Sequence, residues 1–252
     1  MTNPVFFEDP RTLTEVRPIF IHHNISTHPP LAGGDLQVVA MQVRAALTER
    51  LSVVAAKDGF IFTGSDAPLD DGWADIALGL KYNLYSDPAL QQLWSVGLSY
   101  ELPVGTPRAL QGNGDGEFYL YTGAGAQVGD WWHLISTAGF RLPADTVDEN
   151  QLFSWGLHLD RQFGDSGFYF FNETNWYHYL KSGAAGIPTV GGMDFFNLGS
   201  SDVAGNDVVT DGFGIKYKPS IHCEIGVAWE VPLTDRRDLI DNRLTTDLIL
   251  RY

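Results

Sequence analysis

Apolar and polar residues alternate with period two along nearly the whole chain. Near its end, Leu244, Thr246, Leu248, Leu250 and Tyr252 share one face of an extended segment. Thr245, Asp247, Ile249 and Arg251 share the other. The segment before it sets Cys223, Ile225, Val227, Trp229, Val231 and Leu233 against His222, Glu224, Gly226, Ala228 and Glu230. Upstream, Ile76, Leu78, Leu80, Tyr82 and Leu84 oppose Asp75, Ala77, Gly79, Lys81 and Asn83. Trp94, Val96, Leu98, Tyr100 and Leu102 oppose Ser95, Gly97, Ser99 and Glu101. Phe153, Trp155, Leu157 and Leu159 oppose Ser154, Gly156, His158 and Asp160. Successive side chains of a strand point to opposite sides of a sheet, so each segment has one greasy face and one polar face.

The pattern predicts twelve antiparallel strands near 14–23, 35–48, 51–64, 73–85, 91–103, 115–128, 130–143, 151–163, 167–180, 208–218, 220–233 and 242–252. At about 10 to 14 residues they exceed the usual 5 or 6 of a sheet strand and match what a tilted strand needs to cross hydrocarbon. Short turns such as Thr48-Glu49-Arg50 and Gly164-Asp165-Ser166 alternate with longer loops, the longest being Lys181 to Asp207. Short turns at one end and longer loops at the other are the layout of outer-membrane barrels. An even strand count puts both termini on the short-turn side.

The polar face decides the orientation. It is rich in Gly, Ala and Ser yet carries Arg44, Lys81, Glu101, Arg141, His158, Glu224, Glu230 and Asp247 at mid-strand. As a water-facing exterior it would be too small and too sparse in charge; as a narrow lumen it makes room while opposite charges pair. The greasy face carries aromatics near strand ends, among them Tyr82, Tyr100, Phe140, Trp155 and Trp229, as interfacial girdles require. The expectation is an all-β fold: a single closed antiparallel transmembrane β-barrel over residues 14–252, preceded by a periplasmic arm or plug over residues 1–13. Two places resist the pattern. Lys57 and Asp58 are consecutive charges that need a bulge near Gly59. Asn172-Glu173-Thr174-Asn175 is polar on both faces, and Glu173 is assigned inward because its charge costs most in lipid.

Composition adds three constraints. A net charge of −15 argues against a nucleic-acid partner, because phosphate calls for Lys and Arg. One cysteine, Cys223, excludes an intramolecular disulfide framework and any cysteine-rich metal site. The opening Met1-Thr2-Asn3-Pro4 has neither a basic nor an apolar signal region, so a mature form is expected.

The segment Arg44-Ala45-Ala46-Leu47-Thr48-Glu49-Arg50-Leu51, with the hairpin Asp75 to Tyr82 and Gly97 to Gly105, resembles a family of outer-membrane transporters associated with the meta-cleavage pathway of phenol degradation. The resemblance covers roughly residues 35 to 105. Here Ala45-Ala46 replaces the family's aromatic-Gly pair. The resemblance implies a passive channel or transporter for small molecules.

Candidate chemistry concentrates in the lumen. Arg17, Arg44, Lys81, Arg141, Lys216 and Arg251 mingle with Asp75, Glu101, Asp160, Glu173, Glu224, Glu230 and Asp247, with His158 among them. Cross-strand ion pairs bracing the barrel are one expectation, since buried charges must be paired. A weakly cation-preferring constriction is the other. The lumen is either open or closed by the arm or by a loop. Loop 181–207, with Met193, Phe195 and Phe196, either folds inward as a plug or gate or projects to dock a partner or solute. Leu248, Leu250 and the terminal Tyr252 look like a C-terminal signal for the barrel-assembly machinery. A lipid hydrolase needs a serine, a histidine and an acid on one lipid-facing edge. A separation of three puts His133 and Ser136 on opposite faces, and His158 and Ser154 share a face but it is the lumen side. No local pair brings nucleophile to base, so, a cross-strand pair aside, no enzyme activity is expected. His22 and His23 also point apart, and the acidic run Asp66, Asp70, Asp71 reads as solvated; no metal or cofactor is expected. The expected setting is integral to the outer membrane of a bacterium, in contact with its lipid, with a small hydrophobic or aromatic solute passing through. The alternative is a closed structural or adhesive barrel presenting acidic loops to a partner; less favoured is a lipid hydrolase.

Overall fold

The computed structural model describes residues 1–64 and 69–252. Fourteen extended segments follow one another: β1 (Glu15–Ile25), β2 (Asp35–Ala46), β3 (Leu51–Lys57), β4 (Phe60–Thr63), β5 (Gly72–Trp73), β6 (Ile76–Asp87), β7 (Gln92–Leu102), β8 (Glu117–Val128), β9 (Trp132–Pro143), β10 (Gln151–Gln162), β11 (Phe168–Lys181), β12 (Asp207–Ser220), β13 (Cys223–Pro232) and β14 (Ile240–Arg251). All pairings between strands are antiparallel. β14 pairs with β1, which pairs with β2, so the sheet closes on itself. β3 with β4, and β5 with β6, are single wall strands interrupted by irregularities. The barrel therefore has twelve strands. Closure leaves no edge and gives every wall strand a partner on both sides, the condition for backbone inside hydrocarbon.

The interruption between β3 and β4 resolves the consecutive charges. Gly59 takes φ +117°, and a Cβ there would lie 2.5 Å from the Val39 carbonyl oxygen. This local kink turns the Lys57 ammonium inward to Glu101 at 2.5 Å, while Asp58 accepts the Met41 N–H at 2.8 Å.

Orientation is legible from neighbours one residue apart. Leu80 is 53% exposed and Lys81 1%; Ile215 is 51% exposed and Lys216 0%. The greasy side faces out and the charged side wraps the axis. The 3₁₀ turn Pro107–Ala109 is the sole helical element among the described residues. Tyr252 N donates to Thr14 O at 3.0 Å, which holds the chain end beside the start of the first strand at the short-turn end.

Candidate functional site

The lumen is filled from both ends. From the short-turn end, the residues before β1 fold back inside the barrel with their tip at Phe6 and Phe7. Two inward glycines form the sockets: a Cβ on Gly156 would fall 2.2 Å from the Phe7 ring, and one on Gly212 would fall 2.5 Å from the Phe6 ring. This segment has no strand partner, so its peptide N–H groups need acceptors from the wall. Carboxylates supply them. Val5 N and Phe6 N donate to Glu173 at 2.8 and 2.7 Å, Thr2 N to Asp160 at 2.6 Å, and Asn3 N to Glu224 at 3.0 Å. His158 bridges the Thr2 hydroxyl at 3.0 Å and Glu173 at 2.9 Å. Glu8 brings a charge of its own to two buried cations, Arg44 at 2.6 Å and Lys81 at 2.8 Å. Such ionised acceptors and donors make roughly twice as strong a hydrogen bond as neutral ones.

The remaining inward charges pair across strands. Arg17 meets Asp247 at 2.6 Å; Lys216 meets Glu224 at 3.0 Å and Asp247 at 3.3 Å. Arg251 bridges Glu15 and Glu224, each at 2.9 Å. Arg141 pairs with Glu117 at 2.8 Å and Glu230 with Arg243 at 2.5 Å. Asp75, in the break between β5 and β6, accepts the N–H groups of Gly105 and Gly112 at 2.8 and 2.9 Å and so shapes a loop. Every predicted lumen residue thus has a partner, and Asp160, Glu173 and Glu224 also serve the arm.

From the other end, the connection between β11 and β12 folds inward. Phe195 stacks on His23 at 5.4 Å, and Phe196 is buried with Leu36, Ile61 and Leu198. Met193 N donates to the Tyr179 hydroxyl at 3.1 Å, and Asp194 meets Arg243 at 3.2 Å. Asn197 joins three elements: its amide donates to Glu117 at 2.9 Å, and its carbonyl accepts the Asn150 N–H at 2.7 Å.

Beside this latch, burial and the neighbouring carboxylates of Glu117, Glu101 and Asp75 push Glu149 up to about 8. The fold therefore favours the protonated carboxyl. Its contribution to stability is complete below about 4.5, the ordinary value, and is lost progressively as pH climbs from there through about 8. Raising pH from 5 to 9 is expected to speed amide exchange of residues 112–114 and 148–150, where the Glu149 side chain packs against Gly114, beyond the intrinsic rate change. Glu149→Gln should flatten that response, and an identical pH profile in this variant would refute the assignment.

Between the two plugs lies a cavity of about 210 Å³. Ile19, Ile21, Val38, Val54 and Ile61 make one wall, with Thr245 beside Ile21 at its margin; Tyr119, Arg141, Asn175 and Tyr177 make another. Phe6, Phe7 and Glu8 close it on the arm side, Asp194 and Phe195 on the loop side. The Asn175 amide nitrogen and the Thr245 hydroxyl, both buried, have no hydrogen-bond partner.

Superposition on solved structures places this architecture. An outer membrane channel from Pseudomonas putida F1 matches with a TM-score of 0.66 at 12% identity, covering 100% of both chains. The NanC porin matches at 0.61 with 8% identity, over 95% of this chain and 100% of that one. The KdgM porin in complex with disordered oligogalacturonate matches at 0.58 with 8% identity, over 94% and 99%. The fold is that of an outer-membrane β-barrel. No family model matches the sequence, and no curated protein does.

Within that barrel, the hydroxyl–imidazole–carboxylate chain Thr2, His158, Glu173 is sealed between arm and wall and works as a latch. Ser136 bonds to the Gly156 carbonyl and Ser154 to Tyr119, so neither serine reaches a histidine. Among the described residues no three His, Cys, Asp or Glu side chains are grouped to hold a metal ion. Asp70 pairs with Arg108 at 2.7 Å and Asp71 accepts from Thr63, while Asp66 lies outside the described residues. Leu248 and Leu250 face outward, and Tyr252 is fully exposed. The arm residues Thr2, Asn3, Phe6, Phe7 and Glu8, and the wall residues Glu15, Glu117 and Arg243, are participants that the strand pattern alone does not single out. Parity was the available signal for Glu117 and Arg243, which share the inward phase of Tyr119 and Thr245.

Proposed function

We propose that the chain is a bacterial outer-membrane channel, closed in this conformation, that passes small solutes combining an apolar body with a hydrogen-bonding oxygen. The cavity between arm and loop carries the reading. Its aliphatic wall suits a hydrocarbon or aromatic ring, and the unpartnered Asn175 and Thr245 groups suit an oxygen acceptor. The fold shared with channels and porins supports passage across the outer membrane, with outer-membrane lipid around the greasy face. The link to phenol breakdown implied by residues 35–105 belongs to the same proposal, as does recognition of Leu248, Leu250 and Tyr252 by the assembly machinery.

Efflux of a radiolabelled small aromatic carboxylate from vesicles containing the protein tests it. Faster release than from empty vesicles, with glucose release unchanged, is expected. Equal rates would favour the closed adhesive barrel instead. Of the selectivity residues, Glu101 lines the cavity, whereas Glu224 is tied to the arm. Glu101→Gln is therefore expected to lower cation preference in planar bilayers, and an unchanged reversal potential would remove Glu101 from that role.

A further inference from the structure

The barrel wall is broken beside the apolar face of the cavity. β2 pairs with β3 from Ala46↔Ser52 to Val43↔Ala55, and with β4 from Val39↔Phe60 to Leu36↔Thr63. Between these runs Ala40, Met41 and Gln42 face the longer stretch Ala56 to Gly59 without a ladder. The other register shifts among the described residues lie near strand ends. This one falls midway along β2, level with the middle of the hydrocarbon.

On its other side Met41 stands opposite Pro18 of β1, which has no N–H to give and is out of place inside a sheet. Ladder support around Met41 is therefore thin on both flanks. Two side chains stand in for it. The Asp58 carboxylate accepts the Met41 N–H at 2.8 Å, and the Gln42 amide donates to the Ala56 carbonyl at 2.8 Å. Bonds of this kind open when one side chain rotates, whereas a ladder must unzip. An ionisable group at this depth is costly, and such groups in a membrane wall mark pathways.

The break borders the cavity through Ala40, Gln42, Ala56, Lys57 and Asp58, next to the apolar Val38, Val54 and Ile61. Outside, the same stretch meets lipid through Val39 and Met41, which are 51% and 50% exposed. The two ends of the lumen are harder to open. Passing the arm breaks its bonds to Glu173, Asp160 and Glu224 and the Glu8 ion pairs. Passing the loop breaks the Asp194–Arg243 pair and unpacks Phe196. Crossing at the break costs the two side-chain bonds alone. Whatever crosses there must dissolve in hydrocarbon, which excludes a charged solute.

We propose that the gap between β2 and residues 56–59 is a lateral portal, latched by Asp58 and Gln42, through which uncharged and mainly apolar solutes move between the cavity and the membrane interior. This rests on the passage of solutes proposed above and names a route for the uncharged ones. For them the arm stays in place; ions, which cannot enter hydrocarbon, still need it displaced.

The test staples the gap. Continuing the β2–β3 register sets Gln42 opposite Ala56. Gln42→Cys with Ala56→Cys, in a chain carrying Cys223→Ser, can be closed by a disulfide that reductant reopens, or by a short bis-maleimide where the thiols stay apart. The probe is a phospholipid with a diazirine at the end of one acyl chain, whose headgroup keeps it from entering at either mouth of the barrel. In the wild type and in the reduced variant, light should attach it to the inward Val38, Val54 and Ile61 as well as to the outward Met41 and Leu78. Stapling should abolish the inward labels and leave the outward ones unchanged, and excess 2-naphthol should suppress the inward labels in the wild type. Inward residues unlabelled with the gap open, labelled equally with it stapled, or indifferent to 2-naphthol would each overturn the portal. Solute release no faster than from empty vesicles, with inward labelling intact, would instead overturn the passage itself, and the portal's use with it.

Discussion

Replacing Gly156 and Gly212 together with valine is expected to drive the arm from the lumen and raise single-channel conductance several-fold. Valine is a better strand residue than glycine, so the wall itself should tolerate or welcome the change. The conflict is with the arm: the new Cβ atoms would lie 2.2 Å from the Phe7 ring and 2.5 Å from the Phe6 ring. Neither ring can shift far, because the adjacent backbone is held by Glu173 and the Arg243 guanidinium lies over Phe6 at 4.8 Å. The same pair of substitutions in a chain lacking residues 2–9 should add nothing. Planar-bilayer recordings of the four combinations check this. Conductance equal to wild type in the double variant would mean that the arm does not obstruct the path.

Arg44→Met is expected to show the largest loss of stability, about 3 kcal/mol in urea unfolding from vesicles, because it strands carboxylates that it now neutralises. The guanidinium engages Glu8 through two nitrogens, at 3.0 and 2.6 Å, and Glu15 at 2.9 Å. Lys81 remains for Glu8 and Arg251 for Glu15, which keeps the expected loss at the low end of the range for a broken buried pair. Adding Glu8→Gln should recover much of the deficit, since it removes one of the stranded charges. A double variant no more stable than Arg44→Met alone would show that the cost lies in lost packing, not in unpaired charge.

Much of the barrel was legible because period two leaves little freedom: once Leu80 faces out, Lys81 must face in. Amid four consecutive polar residues parity was silent, and it was the cost of a charge in lipid that pointed Glu173 inward, where its side chain is buried. The need for a bulge at Lys57-Asp58 was also forced, as two neighbouring charges cannot both turn inward on a regular strand. The contents of the lumen were not legible. Residues 1–13 have no alternation, with Pro4 and Pro10 breaking any strand, so nothing local says that they run back inside. Gly156 and Gly212 look like small lining residues until Phe6 and Phe7 occupy them. The inward charges could be read as a brace or a constriction because about half of them have a partner on a segment without a pattern of its own. Loop 181–207 was equally poised between plug and projection; what draws it in is Tyr179 on the strand leading into it together with Arg243 and Asn150, which lie almost fifty residues away. Asn172 and Thr174 puzzled for a related reason: both donate to Asp211, which is almost forty residues on and out of view of any local pattern.

The central claim is that the arm is a removable stopper seated from the short-turn end. The most direct measurement is current through a chain lacking residues 2–9, with a synthetic peptide of residues 1–13 added to one side of the bilayer at a time. Steady conductance that the peptide blocks from the short-turn side alone is the result predicted here. A silent truncated chain, or a current indifferent to the peptide on both sides, would contradict it.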